Sequence, residues 1–185
     1  MWIEPDKISD LRSRLVEALG RATCLAQNFE HNCKYVLMIY EMGHKADDVG
    51  YATSEEMWSH SARLHKRALH KTIETAAGNF RVSSEEIALL FDAKNSRNYL
   101  AHSAGIHLIH LPARDFASEL QTFCDHIHVL AVADNLVASW SFSIQEKHVP
   151  PTHRTADYPQ KIVDWILHPI ESLILKSQQT AAPKQ

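Results

Sequence analysis

The densest group of chemically capable residues is SRNYLAHSAG, residues 96 to 105, where Arg97 and Asn98 are followed by His102. If the segment is helical, Asn98 and His102 are four apart and share one face. Arg97 and His102 differ by about 140° and roughly 7.5 Å of rise, a gap an arginine side chain can lean across. The group then offers a fixed cationic fork, an amide and a titratable imidazole near a helix C-terminus, whose negative dipole end favours a protonated histidine. That set suits a phosphate and a proton. Cleavage of RNA by its own 2'-hydroxyl needs a group to take the hydroxyl proton, another to protonate the departing 5' oxygen, and a cation for the phosphorane charge. Histidine and arginine cover these roles without a metal. One His102 cannot easily be both base and acid in a turnover, whereas two copies facing across a two-fold axis can divide the work, so the chemistry prefers a homodimer.

The motif needs a rigid support, and the sequence predicts helices to supply it. Apolar residues recur at helical spacing from Asp6 to about Met42, through Leu11, Leu15, Leu19, Ala22, Ala26, Phe29, Cys33, Val36 and Leu37. This reads as one long helix, or two joined near Gly20. GHKADDVGYATS then collects turn-forming residues and ends in a Thr53-x-x-Glu56 capping box, which predicts a second helix from Ser54 to about Ala77. GNFRVSS is a turn, and Ser83-x-x-Glu86 repeats the capping box ahead of the third helix, which carries the motif. IHLIHLP reads as a short alternating piece, and a fourth helix is expected from Ala113 to about Lys147. Prolines in VPPTHRTADYP end it, and QKIVDWILHPI can form a short amphipathic helix. The expected fold is all-α: an antiparallel four-helix bundle with an additional short C-terminal helix on its outside. One domain is expected over residues 1–175, with its core at 6–147, the short helix at 159–175, and a disordered tail at 176–185.

Composition narrows the setting. The chain has 185 residues, a formal net charge of −3, and only 5 glycines, which excludes a uniformly basic nucleic-acid binder and fits long helices. Its 13 histidines make the charge sensitive to pH just below neutrality. Cys24, Cys33 and Cys124 form no CxxC pair; on one helix Cys24 and Cys33 stand about 180° and roughly 13 Å apart, beyond disulfide reach. A reducing cytoplasm is the expected location. The start MWIEPDKISD lacks the basic-then-apolar order of a signal peptide, and no stretch is expected to reach membrane-spanning length, so no membrane partner is expected.

RNYLAH, with Arg97, Asn98 and His102 near the end of the third of four long helices, resembles the signature of the HEPN superfamily (higher eukaryotes and prokaryotes nucleotide-binding). The likeness covers roughly residues 6 to 147 in helix order and motif position. It implies an α-helical bundle that dimerises with the motif helices together. It also implies a metal-independent endoribonuclease of the kind found in toxin–antitoxin and phage-defence systems, with RNA as substrate, an antitoxin or regulatory protein as further partner, and no cofactor. Arg97 and His102 would then be catalytic and Asn98 would orient them or the phosphate. One branch continues the motif with a tyrosine that a partner nucleotidyltransferase modifies; Ala104 stands there in this chain, so that regulation is not implied. Other superfamily members lack the catalytic pair and serve as binding modules, which leaves a catalytically inactive helical dimer that binds a protein or nucleotide as the alternative.

Further residues carry two readings each. Arg97 can instead pair with Asp92 or Glu86 while His102 caps helical carbonyls. Arg63, Lys66, Arg67 and Lys71, in HSARLHKRALHK, place charge over one predicted helix and can track an RNA backbone or form a solvated face. Trp58 can stack a base, but packing is the favoured reading. Glu30 is polar in a largely apolar segment; it reaches the motif or holds His31 or Lys34. Glu41-x-x-His44 is half of a ferritin-like ligand set without a second half, so no metal site is expected. The remaining histidines read as scattered surface or interface residues.

Overall fold

The computed structural model describes residues 10–48, 50, 53–80, 82–110, 116–145, 156–172 and 174, and among them all regular structure is helical. The expected disordered tail at 176–185 lies outside these residues. Among the described residues seven α-helices follow in order: α1 (Asp10–Asp48), α2 (Ser54–His65), α3 (Leu69–Asn79), α4 (Ser84–His102), α5 (Ala104–His110), α6 (Phe116–Gln145) and α7 (Tyr158–Leu167), the last running into a 3-10 turn at His168–Ile170.

The centre is made by α1, α4 and α6, each packed against the other two. Leu15, Ala18, Ala22, Leu25, Ala26, Phe29, Cys33 and Val36 form the buried stripe of α1, with steps of three and four residues. It meets Leu90, Ala93 and Leu100 of α4 and Leu120, Phe123, Ile127, Leu130 and Val137 of α6. α1 passes through Gly20 without interruption and extends beyond the expected end at Met42. Gly20 is exposed, and a Cβ there would meet nothing within 4 Å, so its only cost is the backbone freedom lost.

The predicted second helix is two. α2 ends at His65, and Ala68, in extended conformation, starts α3. The cause lies in the phase of the apolar residues. On an uninterrupted helix Leu64 and Ile73 would face opposite ways, nine residues giving about 180°. With the break at Lys66–Ala68 both are buried, at 3% and 1% exposure, along with Leu69. Arg67 braces the junction by donating to Glu41 Oε1 at 3.4 Å and Thr75 Oγ1 at 3.2 Å.

α4 starts at the predicted capping box: Glu86 N donates to Ser83 Oγ at 3.2 Å and Ser83 N donates to Glu86 Oε2 at 2.8 Å. Thr53 caps α2 through its Oγ1, which accepts from Glu56 N at 3.1 Å. In IHLIHLP, expected as an alternating piece, residues 106–110 lie instead in α5, whose Ala104 and Leu108 join the core, and residues 111 and 112 lie outside the described residues. α7 packs on α6 and α1, with Ile166 and Ile170 fully buried.

α6 overturns one expectation: it is long and apolar enough to cross a membrane by length and composition. Here its apolar residues face α1, α4 and α7. It also buries a carboxylate: Asp134, 0% exposed, accepts from Asn32 Nδ2 at 2.8 Å and Asn28 Nδ2 at 3.1 Å, both one turn apart on α1. A buried carboxyl group requires hydrogen-bond partners, so this contact fixes the register of α1 against α6.

Candidate functional site

The last two turns of α4 present Arg97, Asn98 and His102 together. Arg97 Nη1 donates to Asn98 Oδ1 at 3.1 Å and lies 3.5 Å from His102 Nε2. The arginine does lean across the gap that the spacing leaves. Asn98 and His102 are exposed, and His102 is the last residue of α4.

Arg97 finds its acid neither at Asp92 nor at Glu86 but across the helix pair, in an ion pair between its Nη2 and Glu30 Oε2 on α1. Glu30 also accepts from Lys34 Nζ at 2.7 Å, so both readings of this residue hold at once. Burial pushes the Glu30 carboxyl up, but the Lys34 hydrogen bond and the Arg97 charge outweigh it and hold the group below the ordinary glutamate range. An anionic Glu30 therefore orients the guanidinium from behind while the His102 side stays open. Arginine has five N–H donors, so Glu30, Asn98 and His102 do not exhaust it.

The inner side of α4 is locked by a second set of polar groups. Ser96 is buried, donates to the Asp92 carbonyl at 2.9 Å, and sits 3.0 Å from His126 Nδ1 on α6. With the hydroxyl proton on the carbonyl, His126 is the donor in the second contact. The His126 ring lies on Tyr99, centroids 4.3 Å apart, and burial pushes its pKa down against the opposing charge of Asp125. Tyr99 Oη donates to Glu119 Oε2 at 3.4 Å, and Glu119 also meets His107 Nδ1 at 3.3 Å. Burial, then Glu119, pushes the phenol up to about 12, so it stays a neutral donor. These contacts set the roll of α4 about its axis and hence the direction of Arg97 and His102. The spacing of His107 and His126 in the sequence suits scattered surface or interface residues; only the packing of α4, α5 and α6 gives them this role.

Ser103, Ala104 and Gly105 suggest a cleared space beside His102, but Ala104 is fully buried in the core. A Cβ on Gly105 would meet nothing within 4 Å, so nothing requires glycine there. The basic residues are dispersed by the break between α2 and α3. Arg63 and Lys66 are exposed, Arg67 is engaged by Glu41 and Thr75, and Lys71 of α3 pairs with Glu74 at 2.9 Å. Trp58 does not pack as expected; it is 67% exposed. Among the described residues no group of three or more His, Cys, Asp or Glu is arranged to hold a metal ion. Glu41 is met by Arg67 and by His60 Nε2 at 3.4 Å. Comparison of the chain with protein-family models, with curated proteins and with solved structures gave no match.

Proposed function

We propose that this chain is a metal-independent endoribonuclease of HEPN type, working as a homodimer in the cytoplasm. The observation that carries the reading is the convergence of the Arg97 guanidinium, the Asn98 amide and the His102 Nε2 within 3.5 Å at the open end of α4. In this reading the long helices form an antiparallel four-helix arrangement and two copies bring their α4 ends together. His102 of one copy takes the 2'-hydroxyl proton. The hydroxyl oxygen attacks the adjacent phosphorus, and His102 of the other copy protonates the leaving 5' oxygen. Arg97 stabilises the extra phosphorane charge, and Asn98 keeps the guanidinium plane turned toward the phosphate. A toxin or phage-defence role, with an antitoxin or regulatory protein as further partner, rests on the motif's resemblance.

A second reading has its own support. The Glu30 ion pair engages Arg97 as a purely structural bridge would, which favours a non-catalytic helical dimer binding a protein or nucleotide at the same face. One assay separates the two: wild type, His102→Ala and Arg97→Ala are incubated with single-stranded RNA and matched DNA, with and without chelator. The nuclease reading expects cleavage of RNA alone, indifference to chelator, and loss of activity in both variants while they remain folded. Equal cleavage by all three proteins refutes the site, and intact RNA throughout favours the binding module.

A further inference from the structure

On α1 and at the end of α2 lies a row of rings that the cleavage chemistry does not use. His31 of α1 stacks on Tyr35 one turn later, centroids 6.2 Å apart and planes within 12°. His65, at the end of α2, stacks with His31, centroids 6.0 Å apart and planes within 28°. His31 and His65 are exposed, so the row is a surface feature rather than core. Trp58, 67% exposed, precedes His65 by seven residues, which places it within about 20° of the same line on α2, two turns away. Ala62, exposed and small, lies between them near that line.

The row shares α1 with the residue that holds Arg97. His31 follows Glu30, the residue that holds Arg97, and Lys34, the other partner of Glu30, lies on the turn between His31 and Tyr35. Lys66, exposed, follows His65. Glu30, which holds Arg97, and the exposed His31 are thus consecutive on α1, with side chains about 100° apart around its axis. Large exposed aromatics and imidazoles give nothing to the core, whereas each offers a face on which a nucleobase of any sequence can stack. Only unpaired bases have faces to give, because a duplex hides them.

We infer that His31, His65 and Trp58, backed by Tyr35, form a base-stacking ledge that binds single-stranded RNA next to the Arg97–His102 site. The inference rests on the ribonuclease reading in taking RNA as the ligand. It makes the enzyme selective for single strands through stacking rather than through base-edge hydrogen bonds.

The test uses the full chain carrying His102→Ala, so that bound RNA stays intact, and a single-stranded RNA nonamer with 2-aminopurine at successive positions. The ledge predicts a fluorescence change on binding at bases beside the phosphate held by Arg97, and no comparable binding of the same sequence as a duplex. Adding His31→Ala and His65→Ala should weaken binding roughly 5- to 100-fold and abolish the fluorescence change. Replacing His31 by Phe in place of Ala should restore both, since a benzene ring stacks without an imidazole's charge. Circular dichroism and melting temperature confirm that the exposed-site variants are folded. If the double alanine variant binds with the parent's affinity and fluorescence response, the ledge is refuted while RNA recognition stands. Failure of Phe to rescue also refutes stacking. If wild type cuts no RNA and the His102→Ala chain binds none, the ribonuclease reading falls and takes the ledge with it.

Discussion

Glu30→Gln tests the hinge of the site, because it removes one charge and nearly no volume. The Glu30 side chain is 22% exposed, Arg97 is 24% exposed and Lys34 is 15% exposed, so the three charges are only partly screened. Two opposite charges about 4 Å apart attract by ~4 kcal/mol at an effective dielectric constant near 20. Desolvation, the burial effect that pushes the Glu30 carboxyl upward, offsets much of this. Glutamine still accepts one hydrogen bond from Arg97, and the i,i+4 contact with Lys34 is worth only a few tenths of a kcal/mol. A net loss of about 1–2 kcal/mol follows, which in a chain of this size lowers the melting temperature by about 2–8 °C. Because an unheld guanidinium sits poorly on a phosphate, RNA cleavage should fall roughly 10- to 100-fold. A double-mutant cycle with Arg97→Met isolates the contact and should give a coupling of about 1 kcal/mol or more. The pH dependence has a definite sign. The folded carboxyl titrates below an ordinary glutamate's 4.5, so its contribution is full above that value and disappears as pH falls through the folded value. Wild type and Glu30→Gln should therefore converge in melting temperature under acid. Additive behaviour in the cycle within about 0.3 kcal/mol, with unchanged cleavage, would refute the assignment of Glu30 as the group that orients Arg97.

Other perturbations probe the support. Asn32→Ala withdraws a donor from the fully buried Asp134 and should cost roughly 1–3 kcal/mol by chemical denaturation; a change under a few tenths would mean the carboxylate does not depend on α1. Gly20→Ala, in open space mid-helix, should stabilise by about 0.5–1 kcal/mol, and a loss of stability would contradict the uninterrupted course of α1 through this position. His126, with its pKa pushed down by burial, is kept neutral in the fold, so its contribution is intact above about 6.5 and is lost as pH falls through the lowered value. His126→Asn should accordingly flatten the fall of melting temperature between pH 7 and 5, and an unchanged slope would argue against it. Burial, helped by Asp134 and Glu30, pushes the Cys33 thiol far up, whereas Cys24 is exposed. A thiol reagent should label Cys24 quickly in the native protein and Cys33 only after denaturant; fast native labelling of Cys33 would contradict its packing.

The polar node at Asp134 and the Ser96–His126–Tyr99–Glu119 set divide the support of α4 between two neighbours. The first fixes α6 against α1, and the second fixes α4 against α6. Since Glu30 rides on α1 and Arg97 on α4, their meeting depends on both. A cluster of surface residues thus inherits its geometry from buried and half-buried polar contacts elsewhere on the same helices.

Local chemistry determined what the sequence made legible. Ser83 and Glu86 announce the start of α4 because a capping box is satisfied by residues three apart, and the reach of Arg97 to His102 follows from helical rise and rotation alone. The apolar periodicity from Asp6 to about Met42 and from Ala113 to about Lys147 likewise calls for long helices, since burial of one stripe needs no knowledge of the partner, although it leaves open whether the first is one helix or two joined near Gly20. The break between α2 and α3 was also within reach, because Leu64 and Ile73 fall out of phase on a single helix, although no glycine or proline marks it. Tertiary structure alone decided the acid that holds Arg97. Glu30 lies 67 positions earlier in the chain, and Asp92 and Glu86 were the nearer candidates by sequence. The same holds for His126 behind Ser96, for the burial of Ala104, and for the exposure of Trp58. Each depends on which helix lies opposite and at what rotation, and a pattern read along one helix fixes its own buried side without fixing the residue it meets.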